Sequence, residues 1–338
     1  MAINTEYIYN KLKEIINVEI TPSDYTFIET NKELSNIILM GLGGSYAYGT
    51  NIEGSDIDLR GIALNSRENI LLGKDFEQVV NIDTDTTIYS LNKIMTLLMN
   101  CNPNTIEIVG LKPEQYIYIS DIGKKLIENK DMFLSKRCIN SFMGYANQQM
   151  YRLQQKSVVA MSEAKLNAHI VKTINFMTEV LEKQYNMTGI KFHLNDTGNI
   201  VVDFNINNYP ADDFSAVLGI INKTLRDYHK NSVRNEKALA HNKINKHAMH
   251  LLRLYMMCED ILRYGEINTY RENEHDLLMA IRNGYYTGED GKPNEEFYNI
   301  VHLYEKRIEV AKSMTKLPDN PNIKKINEFI IMANSTVM

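Results

Sequence analysis

Two apolar rhythms run along the chain, and the points where they break carry its polar chemistry. Ile37-Ile38-Leu39-Met40 is a continuous apolar run that stops at Gly43-Gly44, the pattern of a short buried strand entering a turn. The stretch Gln78 to Tyr89 has strand character, and Asp83 and Asp85 share one face of it by parity. From about residue 90 the period becomes helical: Leu91, Ile94, Leu97 and Leu98 recur on one face until Asn102-Pro103-Asn104 ends the run. Residues 135–185 read as two long helices, with Ser135 as an N-cap and Phe142, Tyr145, Gln149 and Arg152 on one stripe. Ile190–Leu194 and Ile200–Ile206 alternate with period two around Asn195-Asp196-Thr197-Gly198-Asn199, which predicts a β-hairpin over 190–207. Another helix covers Lys243 to Tyr264. The segment Leu317 to Pro321 then breaks a long amphipathic helix from a last one ending near Met338. The expected architecture is α+β: a small mixed sheet flanked by helices in a domain over 1–125, then a mainly helical domain over 126–338.

Composition narrows the class without naming a chemistry. With 338 residues, 44% of them hydrophobic, the chain can build a sizeable core. No apolar run reaches membrane-spanning length, and the first residues lack the basic-then-apolar plan of a secretion signal. A cytoplasmic protein without membrane partners is expected. Cys101, Cys138 and Cys258 are scattered, so neither a zinc site nor a disulfide framework is indicated. A net charge of −5 argues against a broad, sequence-independent grip on nucleic acid, although a local patch could still hold an RNA end.

The break after the first strand is chemically the richest segment. Gly43 and Gly44 allow backbone N–H groups to approach an anion with no Cβ in the way, and Ser45 adds a hydroxyl at the start of a short helix. That is a candidate phosphate cradle. Ten or so residues on, Asp56-Ile57-Asp58-Leu59 alternates acid and apolar, which in a strand sends both carboxylates to one face. Two acids facing the same way call for a cation between them, and Mg²⁺ or Mn²⁺ shared with nucleotide phosphates meets that need.

In this order and spacing the segment resembles the signature of the DNA polymerase β superfamily of nucleotidyltransferases. Tyr48-Gly49-Thr50 and Asp56-Ile57-Asp58-Leu59-Arg60-Gly61 make it similar to the branch associated with RNA ligases. Further matches to that branch are Tyr89-Ser90-Leu91-Asn92-Lys93, Cys101-Asn102-Pro103-Asn104 with Glu107, Phe142-Met143-Gly144-Tyr145 with Gln149, and Lys246 through Leu254. The resemblance covers roughly residues 37–285. It implies a metal-dependent transfer of a nucleoside monophosphate from an NTP to a hydroxyl, with release of pyrophosphate. Asp56 and Asp58 would bind the metal. The family pattern favours Asp85 over Asp83 as the third metal-site and catalytic carboxylate.

A second signal comes from the helix over Lys243 to Tyr264. Lys243, Lys246, His250 and Arg253 fall within about a third of its circumference at roughly 100° per residue. Such a stripe on an otherwise apolar helix predicts a face toward phosphates, so Lys246, His250 and Arg253 join Gly43, Gly44 and Ser45 as candidate nucleotide contacts; a solvated basic face is the plain alternative. Glu107 lies in the apolar run Ile106-Glu107-Ile108-Val109, where a carboxylate needs a partner. By family association the expected acceptor is an RNA or tRNA end. The alternatives are AMP or UMP transfer to a protein hydroxyl, a small-molecule acceptor, and, from a different class, a non-catalytic module that senses a nucleotide or partner.

Overall fold

A computed structural model of the chain describes residues 4–16, 21–156, 167–168, 170–172, 174–175, 189–197, 199–205, 207, 211, 214–215, 218–219, 221–222, 243–288 and 291–338. They belong to two compact units, one of Met1–Gln148, Met249–Tyr285 and Glu295–Met338, the other of Gln149–Ala248 and Tyr286–Asn294. The larger unit runs α1 (Thr5–Ile15), α2 (Phe27–Thr30), β1 (Ile37–Leu42), α3 (Gly44–Tyr48), β2 (Leu59–Ala63), α4 (Arg67–Leu71), β3 (Gln78–Asn81), β4 (Thr86–Ser90), α5 (Leu91–Met99), α6 (Pro103–Ile106), β5 (Tyr116–Ile119) and α7 (Asp121–Glu128). After α8 (Arg137–Lys156), the smaller unit holds β6 (Ile190–Leu194), β7 (Ile200–Phe204) and the start of α9 (Lys243–Tyr264). The rest of α9, α10 (His275–Arg282), α11 (Glu295–Met314) and α12 (Ile323–Asn334) belong to the larger unit.

The sheet of the larger unit has the order β3-β4-β2-β1-β5. β1 is antiparallel to both β2 and β5, β3 is antiparallel to β4, and β2 lies parallel to β4. The fold is therefore the expected α+β arrangement with a mixed sheet. All six residues of β1 are buried, as its unbroken apolar run requires, whereas the edge strand β3 exposes every second side chain. In α5 the buried face is Leu91, Ile94, Met95 and Leu98, with Leu97 turned to the rim. Ser66, Ser90 and Ser120 each accept an N–H of the first turn of the following helix, and Asn102 caps α6 with Pro103 at its first position. α8 begins at Arg137 rather than directly after Ser135, and the second helix expected before residue 185 lies largely outside the described residues.

The smaller unit contains the predicted hairpin. β6 pairs antiparallel with β7 from Ile190↔Phe204 to Leu194↔Ile200, and Asn195 Oδ1 accepts the N–H groups of Thr197 and Asn199 to close the turn. Ile190 and Phe192 join Ile170, Ile174 and Ile221 in its core. No helix among the described residues is long and apolar enough to cross a membrane. All three cysteines are buried and free.

Candidate active site

The chain turns sharply where β1 ends, and this turn builds the site. Gly43 donates its N–H to the Asp58 carbonyl at 2.8 Å, which carries the β1–β2 pairing one step past Leu42↔Leu59. Gly44 has φ +52, and a Cβ there would lie 1.7 Å from Asp58 Oδ2. The Asp58 carboxylate thus lies directly on the glycine, and only a residue without a side chain permits both the backbone and the contact. Ser45 follows, half-buried in the first turn of α3, and its carbonyl accepts the Thr50 N–H at 2.9 Å.

The paired aspartates are not strand residues, contrary to the alternation. β2 begins at Leu59, and Asp56 and Asp58 occupy the irregular segment before it, because β1 leaves the sheet at Gly43. Asp56 is exposed and lines an open cleft of about 940 Å³ with Asp24, Ser55, Asp83, Thr84 and Asp85. Asp83 and Asp85 likewise share no strand face: Ile82 to Asp85 form the turn between β3 and β4, and Asp85 takes φ +43. The parallel register Leu59↔Thr86 then sets Asp85 beside Asp58, and the Asp85 carbonyl accepts the Leu59 N–H at 3.2 Å.

Arg60 ties these acids together. Its Nη2 is 3.3 Å from Asp58 Oδ1, while Nη1 is 3.4 Å from Asp85 Oδ1 and donates to the Asp85 carbonyl at 2.8 Å. In the sequence Arg60 is marked only by its spacing of two from Asp58 within the motif, and its contact with both acids comes from the fold. Among the described residues no three His, Cys, Asp or Glu side chains converge as a metal-holding group. In kind, the donors fit a hard divalent cation, being carboxylate oxygens, with those of Asp56 at the wall of an open cleft. Arg60 supplies the positive charge between Asp58 and Asp85.

A buried polar layer lies under α3. The fully buried Tyr48 hydroxyl donates to the Glu107 carboxylate, and Arg253 stacks on the Tyr48 ring with its guanidinium carbon 3.3 Å from the centroid. Burial pushes the Glu107 carboxyl above the usual carboxylate range, against the pull of Arg253, Tyr48, Arg60 and the Gly44 N–H. Burial also raises the Tyr48 phenol well above its ordinary value, with Arg253 opposing. Thr269 donates to the Glu107 carbonyl at 3.0 Å. His250 is half-buried, its ring nitrogens 3.3 and 3.4 Å from Arg253 Nη2.

The basic stripe of α9 is therefore divided. Arg253, on the Tyr48 ring, meets His250 in the larger unit, whereas Lys246 is exposed in the smaller unit. The Lys243 side chain lies outside the described residues. The far end of α3 is held by residues that sequence reasoning missed: His275 Nε2 donates to the Gly49 carbonyl at 2.8 Å and stacks on Tyr270. Lys112 Nζ lies over the Tyr270 ring, 3.9 Å from its centroid. As ordinary polar residues far along the chain, they carry no local signal.

A mixed sheet with a glycine turn packed against an Asp-x-Asp segment defines the class, a polymerase β-like nucleotidyltransferase domain. The chain matches the RNA repair pathway DNA polymerase beta family over residues 6–194, more than half its length, and belongs to that family. No curated protein and no solved structure matches it.

Proposed function

We propose that this protein transfers a nucleoside monophosphate from an NTP to a hydroxyl of an RNA or tRNA end, releasing pyrophosphate. The observation that carries the reading is the seating of the Asp58 carboxylate on Gly44. It supports a phosphate chain laid along the Gly43-Gly44-Ser45 turn within reach of Asp58, with Ser45 offering a hydroxyl and Gly44 excluding any bulk. Asp56 and Asp85, both at the cleft, would complete with Asp58 the set that holds Mg²⁺ or Mn²⁺. Such a cation, when bound, would neutralise charge on the phosphates and lower the pKa of the acceptor hydroxyl. Asp85, exposed at the cleft, is the carboxylate we assign to receive the acceptor proton. Arg60 would hold Asp58 and Asp85 in place, and Glu107, Tyr48 and Arg253 would fix α3 from below.

The family description, with its RNA repair pathway, supports an RNA end over a protein or small-molecule acceptor. Incubation with each α-labelled NTP and Mg²⁺, with RNA, protein and small-molecule fractions of a cell extract supplied separately, tests the proposal. Label entering RNA is expected. Label entering only protein or small molecules would replace the acceptor, and absence of transfer with every fraction would return the chain to a nucleotide-sensing module.

A further inference from the structure

Arg282, the last residue of α10, is 7% exposed. Its Nη2 approaches Ser55 Oγ at 3.5 Å, while its Nε and Nη1 have no hydrogen-bond partner. The other buried arginines among the described residues, Arg253 and Arg271, also leave Nε without a hydrogen-bond partner, but each has an anion beside it. Arg271 pairs with Asp260 at 2.8 Å and Glu274 at 3.3 Å, and Arg253 has Glu107 and the Tyr48 face. Burial alone perturbs Arg282, lowering its pKa, and among the described residues no carboxylate pairs with it. A guanidinium withdrawn from water without an anion is strongly disfavoured, so its arrangement is that of a site whose anion arrives with a ligand.

The position identifies the ligand. Ser55 lines the cleft with Asp56, and its Oγ accepts the Ile52 N–H at 2.9 Å besides lying 3.5 Å from Arg282 Nη2, so the guanidinium reaches the cleft wall through Ser55. The guanidinium fork matches the geometry of phosphoryl oxygens. We propose that Arg282, with the Ser55 hydroxyl, is a receptor for a phosphoryl group of a substrate at the loop that carries Asp56. It deepens the nucleotidyl-transfer reading and rests on it. The residue lies outside residues 6–194, the span that matches the family, and apart from the basic face of α9. The phosphoryl group belongs either to the triphosphate tail of the donor or to a terminal phosphate of the acceptor.

Both sources are separable with the intact protein. Arg282→Met and Arg282→Lys are compared with wild type by thermal unfolding and by calorimetric titration with inorganic pyrophosphate and with a 5′-phosphorylated oligoribonucleotide, its dephosphorylated form serving as control. Without ligand, Arg282→Met should unfold no lower than wild type, because it removes an uncompensated buried charge. It should bind at least one phosphorylated probe about tenfold or more weakly, with Arg282→Lys intermediate. A loss confined to pyrophosphate assigns the donor tail; a loss confined to the phosphorylated oligonucleotide assigns the acceptor. Wild-type affinity for both probes in Arg282→Met overturns the receptor, and does so whether or not stability falls. If Arg282→Met does not fold, Arg282→Lys and Ser55→Ala carry the same titrations, and unchanged affinity in both overturns it. A wild type that transfers label while these variants bind normally rejects the receptor alone, whereas a wild type that neither transfers label nor binds either probe rejects the transferase reading with it.

Discussion

Gly44 concentrates two constraints on one residue. Its φ of +52 is a region that a residue with a Cβ enters at about 1–3 kcal/mol, and the Asp58 carboxylate occupies the space a methyl group would need. Gly54 shares the first constraint, with φ +76, and has nothing within 4 Å. Gly44→Ala should therefore lower unfolding free energy more than Gly54→Ala does in urea titrations, and only the first should abolish NTP binding. Equal effects would place the phosphates elsewhere. Glu107 makes a pH prediction. The folded protein holds its proton more tightly than the unfolded chain, where the carboxyl titrates near 4.5. Its contribution is thus complete below about that pH and is lost as pH rises through the higher folded value. Glu107→Gln removes this titration, so its stability relative to wild type should climb with pH across that window; a flat difference would contradict the assignment. Glu107→Leu leaves the buried Tyr48 hydroxyl without its acceptor and Arg253 without the neighbouring carboxylate charge, and should cost about 3–5 kcal/mol.

At the scale of elements, α3 is too short to hold itself and is clamped at both ends. Asp58 covers its start, and His275 binds the Gly49 carbonyl at its close. His275→Leu should lose about 0.5–1.5 kcal/mol by urea unfolding, and no loss would mean that the bond adds nothing to stability. β1, the glycine turn, the helical face of α5 and the 190–207 hairpin were all readable, because each rests on a local period or on turn chemistry. The positions of the aspartates were not. Alternation made Asp56 with Asp58, and Asp83 with Asp85, look like strand faces, but the strand boundaries are set by partners: β1 leaves the sheet at Gly43, and β4 starts where β2 does. Arg60 and Glu107 stand out in the sequence as motif members, Glu107 also as an acid in an apolar run that needs a partner, but their partners do not. Their partners are brought in by the fold, Tyr48 lying 59 residues from Glu107.

At the scale of the molecule, the glycine turn is completed by chain that returns after a long excursion. Residues 249–285 supply Arg253, Thr269, His275 and Arg282 to the unit that holds it. Periodicity along one chain carries no sign of such recruitment. The net charge of −5 bears on how an RNA end is gripped. Few phosphates can be neutralised, so affinity for RNA should fall less than about tenfold between about 50 and about 200 mM salt, where proteins with six to ten phosphate contacts lose roughly 10³–10⁵. A steep loss would reveal a broad basic surface. The central claim is that the aspartates beside the glycine turn carry out nucleotidyl transfer. Its most direct test is incorporation of label from α-labelled NTP into RNA by wild type, Asp56→Ala and Asp58→Ala, each checked for unchanged thermal unfolding. The account predicts Mg²⁺-dependent labelling by wild type and none by either folded variant; labelling by Asp56→Ala and Asp58→Ala at the wild-type rate would contradict it.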